Sequence, residues 1–453
     1  MKFGGTSVGT VASLRNVKNI VEGESGPVVV VVSALGGITD RLIATATKAC
    51  GGDASWREDY DYIVDRHRAI AEGLLPDDCR KEVWANVGEI LQELHNLFYG
   101  IELVGDISQR TMDRVVSFGE RMSSLMIAHV IAGARLFYSP EFVKTEKRYG
   151  ENIPDSQLTD SLIREAFAGF SEGVAVAPGF ISSDRDSGKV TNLGRGGSDF
   201  TAALIAASLG ADVLEIWTDV DGFMTADPRV IPGARVIPRL SFVESMDLCN
   251  FGAKVIYPPT IYPVFHKNIP IIIRNTLNPS APGTFIADEH VPCEWPFRGV
   301  SSIKDVCLFT VTGTVPGSLA TRIFSVLTKN GVEVLLDTRS ESAERHESEV
   351  SFATREKEAE RAAELLSKEF DAELSNGEVK RLTQRHKLST LSIVGENLKN
   401  LEGMASKVAG TLAANGVPVL AVARGNSEIN LSMVLQSADL ENSLRLIHKT
   451  YLE

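Results

Sequence analysis

The sequence predicts an α/β protein: an open, mainly parallel sheet sandwiched by helices, followed by two small ferredoxin-like (βαββαβ) modules. Three observations carry that expectation. Near the start of the chain, strand, glycine turn and helix occur twice in succession, the order of a doubly wound sheet. The run Val28–Val32 is uniformly apolar, as a strand covered on both faces must be. Late in the chain a β-α-β-β order occurs twice, the copies about 85 residues apart.

The elements follow in order. Lys2-Phe3-Gly4-Gly5-Thr6-Ser7 places a lysine before two glycines and two hydroxyls. Where a strand ends and a helix begins, such a turn suits a phosphate: glycine backbone approaches closely, the helix start is partly positive, and lysine adds a full charge. It is not a Walker A loop, which carries its lysine after the glycines. A lone Gly-Gly beside a surface lysine would be an ordinary turn, so the reading depends on partners elsewhere. Val11, Leu14, Val17 and Val21 recur at helical spacing, the valine strand follows, and it breaks at Ser33-Ala34-Leu35-Gly36-Gly37 before a helix resumes near Thr39. Residues 60–132 read as helical throughout. His67 and His95 lack a second metal-type residue one turn away and read as core or solvated histidines. Glu120, taken alone, reads as a helix-surface charge.

A strand is expected at 174–180 and a polar turn at 183–188. The densest stretch follows: Leu193-Gly194-Arg195-Gly196-Gly197-Ser198-Asp199, opening a helix that Gly210 stops, with Ser198 or Asp199 as its N-cap. Arg195 could grip a carboxylate or phosphate bidentately. A dinucleotide fingerprint would require glycine at Asp199. The strand at 213–217 ends in Thr218-Asp219-Val220-Asp221-Gly222-Phe223-Met224. An EF-hand needs Gly at its sixth and Glu at its twelfth position, and Met224 and Val230 stand there instead. Lys254, in Gly252-Ala253-Lys254-Val255, could equally be a lysine snorkelling from a helix surface. Residues 278–296 are rich in Pro, Gly and Ser and read as a linker.

Composition bounds the function. At 453 residues the chain should hold two to four domains, and 43% hydrophobic with 23% charged residues fits a globular protein. A net charge of −13 argues against nucleic-acid and anionic-membrane partners. Five scattered cysteines without a C-x-x-C pair argue against a disulfide framework or zinc and for a reducing cytoplasm. No secretory signal or membrane-spanning run is visible.

Six motifs, in this order, carry a family resemblance: K-F-G-G-T-S at Lys2 to Ser7, V-S-A at Val32 to Ala34, F-G-E at Phe118 to Glu120, G-R-G-G-S-D at Gly194 to Asp199, T-D-V-D-G-x-x-T-A-D-P-R at Thr218 to Arg229, and G-A-K-V at Gly252 to Val255. The chain resembles the aspartokinases over essentially its whole length. The resemblance implies an amino-acid-kinase domain at 1–290 and two regulatory ACT modules at 291–385 and 386–453. It implies transfer of phosphate from ATP, with Mg²⁺, to L-aspartate, giving 4-phospho-L-aspartate on the route to lysine, threonine, methionine and isoleucine. By motif match, Lys2, Asp199 and Lys254 are catalytic. Thr39, Glu120, Arg195, Gly196, Gly197 and Ser198 bind aspartate. Lys2, Phe3, Gly4, Gly5, Thr218, Asp219, Met224, Arg229, Lys254 and Val255 bind ATP. Gly4 and Gly5 would donate backbone N–H groups to phosphate, Asp199 would hold Lys2, and Glu120 would pair with the substrate ammonium. The metal has no protein ligand and rides on the nucleotide. An allosteric lysine or threonine and a homodimer or homotetramer through the ACT modules are further expectations, the modules pairing edge to edge. The effector is left open.

The chain departs from the family in places. The first strand should be short or frayed. Met224 stands where an aromatic residue is common, Glu402 replaces the proline that Pro316 keeps in the first module, and Val334 stands where lysine-sensitive members often carry Asp. No dehydrogenase region follows Glu453, so a monofunctional chain is expected. A glutamate or N-acetylglutamate kinase of the same fold, and a catalytically dead amino-acid sensor, are the alternatives.

Overall fold

In a computed structural model, which describes all residues except 149, 289–291, 315–318, 343–346 and 426, the chain divides into two compact units. The first comprises Met1–Phe223, Pro238–Phe242 and Val255–Glu289; the second comprises Met224–Ile237, Val243–Lys254 and His290–Glu453. Pro316 lies outside the described residues.

Up to residue 288 the strands are β1 (Lys2–Phe3), β2 (Val28–Val32), β3 (Arg135–Leu136), β4 (Lys144–Arg148), β5 (Glu151–Pro154), β6 (Val174–Pro178), β7 (Ile181–Asp184), β8 (Val190–Asn192), β9 (Leu214–Thr218), β10 (Arg239–Ser241), β11 (Ile271–Asn275) and β12 (Thr284–Ala287). The α-helices are α1 (Gly5–Val8), α2 (Val11–Glu22), α3 (Ile38–Cys50), α4 (Trp56–Leu74), α5 (Asp77–Val104), α6 (Gln109–Val130), α7 (Ser156–Ala166), α8 (Gly197–Leu209), α9 (Phe242–Asn250) and α10 (Tyr262–Phe265).

The first unit is built on one eight-stranded sheet in the order β10-β12-β11-β9-β1-β2-β6-β3, parallel except where β11 meets β12. β1 has only two residues, yet it pairs on both sides, Lys2 opposite Val31 and Ile216. Val30, Val31 and Val32 are buried, as an interior parallel strand requires. α3, α4, α5 and α6 pack through Leu42, Ile63, Leu94, Phe98 and Met126 into one core that also covers Phe3 and Val32. A fully buried side chain of this kind contributes about 1.5–3 kcal/mol by leaving water. His67 belongs to that core: it is 0% exposed, its Nδ1 lies 2.7 Å from the Ile63 carbonyl oxygen, and burial pushes its pKa down to about 4. A second sheet, β5-β4-β7-β8, was not expected, because its strands are short and carry polar runs such as Lys144–Arg148.

The second unit carries one continuous six-stranded antiparallel sheet, β14-β15-β13-β16-β18-β17. Its strands are β13 (Gly299–Gly313), β14 (Leu336–Ser342), β15 (Glu347–Arg355), β16 (Val379–Val394), β17 (Ala421–Arg424) and β18 (Asn430–Gln436), and its helices are α11 (Leu319–Lys329), α12 (Ala359–Glu369), α13 (Asp371–Asn376), α14 (Met404–Ala414) and α15 (Leu440–Tyr451). The repeat is present, but the copies are not separate beads. Residues 306–313 of β13 pair with β15 and with the first half of β16, completing one βαββαβ set. Residues 299–303 pair with 390–394 of β16 and supply the fourth strand of the other set. The expected boundary at 385/386 therefore falls inside a strand, at a register shift. Residues 299–303, inside the expected first module, complete the second. The first boundary differs too, because segments 224–237 and 243–254 belong to the second unit. The expectation of two modules cut one after the other is corrected accordingly.

Candidate functional site

Strands β1, β2 and β6 lie side by side, and the turns after their C-terminal ends converge. In a parallel sheet this is where a ligand reaches backbone N–H groups and helix starts together. A cavity of about 360 Å³ opens there, lined by Lys2 and Gly5 after β1, Ser33 to Gly37 with Thr39 and Asp40 after β2, and Phe180 after β6. Glu120 of α6 and Gly194, Gly196, Gly197, Ser198 and Asp199 at the start of α8 close it. Two thirteen-residue helices, α3 and α8, begin at this cavity, so both direct their partly positive ends toward a bound anion.

The charged groups are fixed by short contacts. Lys2 Nζ lies 2.7 Å from Asp199 Oδ1, with both side chains nearly buried. Asp199 sits in the first turn of α8, where its charge also meets the helix dipole favourably. The N-cap of α8 is Gly196, not Ser198 or Asp199. Gly196 has φ +69°, and a Cβ there would meet Tyr257 Cβ at 2.7 Å, so glycine is needed at this point of the loop. That shift moves Ser198 inward, where its Oγ accepts a hydrogen bond from Ser33 Oγ at 2.9 Å. Ser123 of α6 donates to the Ser33 carbonyl at 2.8 Å, tying the three elements together.

Glu120 departs most from its reading in isolation. It is 3% exposed in the middle of α6, not on a helix surface. Its Oε1 accepts from Ala34 N–H at 3.0 Å, while the buried Oε2 has no partner among the described residues. Burial pushes its pKa up to about 8, against the opposing pull of the Ala34 N–H. The neighbouring glycine explains the approach: a Cβ at Gly119 would stand 2.6 Å from Ala34 Cβ, so any side chain would push α6 off the β2 turn. A buried carboxylate oxygen without a partner, facing a cavity, is a place for a cationic donor.

Other expected residues lie elsewhere. Phe3 is 0% exposed and stacks on Trp217, so it can offer a ligand only its backbone. Gly4 N–H already donates to the Trp217 carbonyl at 3.2 Å, because pairing with β9 continues one residue past β1; its expected donation to phosphate is corrected. Arg195 is exposed, with its guanidinium 5.7 Å from the Tyr257 ring centroid, and it does not line the cavity. Thr218 ends β9 beside β1, on the same edge of the sheet as the cavity, and its Oγ1 donates to Asp219 at 3.2 Å. Val255 belongs to the first unit but does not line the cavity. Met224, Arg229 and Lys254 belong to the second unit. There Arg229 is exposed and paired with Asp227 at 2.8 Å, and Lys254 lies in irregular chain after α9.

Sequence reasoning missed several supports. Asp113, one face of α6 with Glu120, is 5% exposed and accepts from Asn192 at 2.8 Å and Gln109 at 2.9 Å. Asn192 in turn accepts from Gly194 N–H at 3.0 Å, so Asp113 holds the glycine loop through one intermediate. Arg66 donates to the Gly9 carbonyl at 2.7 Å behind the first glycine turn. Phe180 lines the cavity with φ +65°, a left-handed backbone that costs a non-glycine residue on the order of 1–3 kcal/mol. The only signal for Asp113 in the sequence was its spacing of two helical turns from Glu120.

Residues 1–275 match the Amino acid kinase family and residues 391–451 match an ACT domain. The lysine-sensitive aspartokinase 3 of Escherichia coli is 30% identical, with 100% of this chain and 98% of that protein covered. The chloroplastic bifunctional aspartokinase/homoserine dehydrogenase 1 of Arabidopsis thaliana is 32% identical over 99% of this chain, and the chain spans about half (50%) of that relative's length. Among solved structures, E. coli aspartokinase III in complex with aspartate and ADP superposes with a TM-score of 0.81 at 28% identity, covering 100% of this chain and 99% of that one. The same enzyme in complex with lysine and aspartate gives 0.75 over the same coverage.

Proposed function

The chain belongs to the amino acid kinase family and, within it, to the aspartokinases; from that premise we propose that it is an aspartate kinase, transferring the γ-phosphoryl group of ATP to the side-chain carboxylate of L-aspartate. The observation that supports this best is one cavity holding both the Lys2–Asp199 pair and the buried, half-partnered Glu120. Lys2 meets the transferred phosphoryl group, while the free oxygen of Glu120 takes the substrate ammonium.

A carboxylate nucleophile has an ordinary pKa near about 4 and is already ionised at neutral pH, so no general base is required. The barrier lies in bringing an anion to a polyanion, and positioning with positive charge lowers it. Lys2 is kept extended toward the phosphates by Asp199. Gly5 and the starts of α3 and α8 supply the neutral, partly positive part of the cradle. Thr39, Gly196, Gly197 and Ser198 border the aspartate, and Arg195 reaches its carboxylate by leaving Tyr257. Thr218, Asp219 and Val255 serve the nucleotide. The oxygens at this edge of the sheet are hydroxyls and carboxylates, the hard donor set that suits magnesium, and none is assigned to it. When bound with ATP, the metal neutralises phosphate charge.

The same reading places the chain in the cytoplasm, as a homodimer or homotetramer joined through its ACT modules, with lysine or threonine as regulator. No helix among the described residues is long and apolar enough to cross a membrane. Trapping the acyl phosphate with hydroxylamine tests the activity: hydroxamate should form with aspartate and MgATP, and formation with glutamate but not aspartate would overturn the proposal. Lys2→Ala should lower turnover by about 10²-fold or more in a chain that still melts cooperatively. Turnover at the wild-type rate would remove Lys2 from its role.

A further inference from the structure

α6 has two functional faces. Glu120 lines the substrate cavity, whereas its neighbour Arg121 lines a second, larger cleft of about 620 Å³ between α5, α6 and the β7–β8 hairpin. That cleft gathers Arg110, Arg114 and Arg121 from α6 and Lys189 from the hairpin, with the Tyr138 hydroxyl at its wall. Its one carboxylate is Glu93. Arg114 Nη2 lies 2.6 Å from Glu93 Oε1, and Arg121 Nη2 lies 2.8 Å from Glu93 Oε2. Four cations around one carboxylate leave a local excess of positive charge in a chain whose net charge is −13. Such an excess is not a general property of this surface.

The lining is also unbalanced in hydrogen bonding. Arg and Lys only donate, and Glu93, the single ionised acceptor, is shared between two guanidinium groups. Arg110 and Lys189 form no ion pair with any other described residue. A ligand that satisfies this set must be rich in acceptors and negatively charged. Forked guanidinium groups match phosphate oxygens in pairs, and the volume falls within the range of small-molecule sites, about 300–1,000 Å³. We propose that this cleft is a second binding site, for a small phosphorylated metabolite, in which Glu93 holds Arg114 and Arg121 in place until the phosphate engages them. The site is separate from the catalytic cavity and does not depend on which amino acid that cavity phosphorylates.

Pyrophosphate serves as the probe, in equilibrium dialysis against the full-length chain without magnesium. Wild type should bind one equivalent more than the double variant Arg114→Gln/Lys189→Gln. Arg110→Gln, an exposed position, should weaken that extra equivalent about tenfold, as loss of one charge-assisted contact does. Glu93→Gln removes the competing carboxylate and should tighten binding by about threefold or more, a direction that general damage to the fold would not produce. Phosphorylation of the amino-acid substrate at saturation should be unchanged in the double variant. Equal stoichiometry in wild type and double variant, or weaker binding in a cooperatively melting Glu93→Gln chain, would overturn the proposal.

Discussion

Replacing Glu120 by glutamine should trade substrate binding for stability, and the structure sets both magnitudes. The glutamine keeps the shape and can keep the 3.0 Å bond from Ala34 N–H, but it removes the charge. In the proposed complex the substrate ammonium would then be buried beside a neutral amide. Breaking one side of a buried ion pair costs about 3–5 kcal/mol, so KM for aspartate should rise by roughly 10²–10⁴-fold. The wild type should also show a particular pH dependence. With a pKa of about 8, Glu120 is mostly protonated at pH 7 in the free chain. Ionising it to receive an ammonium there costs about 1.4 kcal/mol. KM for aspartate should therefore fall about tenfold per unit as pH rises toward 8 and level off above it, a slope absent from Glu120→Gln.

Stability runs the other way. The folded pKa lies above the unfolded one, so between the ordinary glutamate value and about 8 the folded state binds more protons than the unfolded chain. The contribution is fully present below the unfolded pKa and is lost as pH rises through the folded one. Glu120→Gln should lack this decline and, without ligand, should melt above the wild type at pH 9, by an amount on the order of a few kcal/mol. Initial rates across pH 6 to 9 and thermal melts of the ligand-free chain measure both effects. The reasoning is refuted if KM has the same pH slope in both proteins, or if the variant melts below wild type at high pH.

Gly119→Ala should cost about 1–3 kcal/mol in urea unfolding and raise KM for aspartate, because its Cβ would stand 2.6 Å from Ala34 Cβ and lift Glu120 from the β2 turn. Asp113→Asn weakens two charge-assisted bonds and sets an amide against Asn152; KM for aspartate should rise up to about tenfold with kcat changed less, and restoring Asp should restore both. Lys387→Gly should stabilise by about 0.5–1 kcal/mol, since Lys387 is held at φ +58°, a backbone glycine adopts freely; a loss of more than 1 kcal/mol in the same melts would contradict that conformation.

Much of the catalytic unit was legible because its chemistry is local. A glycine turn after an apolar run, an acidic residue in a helix's first turn, and a terminating Gly210 each act within a few residues, so Lys2, Asp199, the limits of β2 and the end of α8 could be read directly. Glu120 could not. Its burial is created by Ala34, 86 positions away, closing on Gly119, and periodicity cannot distinguish that carboxylate from one facing water. Gly4 failed for the same kind of reason: its N–H is taken by Trp217, a partner that only the sheet order reveals. The cationic cleft was not legible because Arg110, Arg114 and Arg121 lie on one helix of an acidic chain, and only the packing of the β7–β8 hairpin against that helix brings Lys189 to them.

The second unit shows a sharper limit. Repetition in the sequence suggests that modules are cut one after another, and here hydrogen bonding overrides that order. β13 and β16 each run through both halves of the sheet, and each changes register where it passes from one half to the other. The two residues with left-handed backbone in these strands, Asp305 and Lys387, sit at those shifts, both at φ +58°. An extra residue at each point bends and twists the ladder without ending it. Removing 299–303 would leave one edge of β16 bare along 390–394, its other edge still paired with β18, and withdraw Val300 from the core built by Leu391, Ile393, Val408 and Ile447. The halves are therefore coupled through two shared backbones. A ligand that reshapes one half can reach the other by bending at the bulges, at lower cost than parting the many strand hydrogen bonds between them.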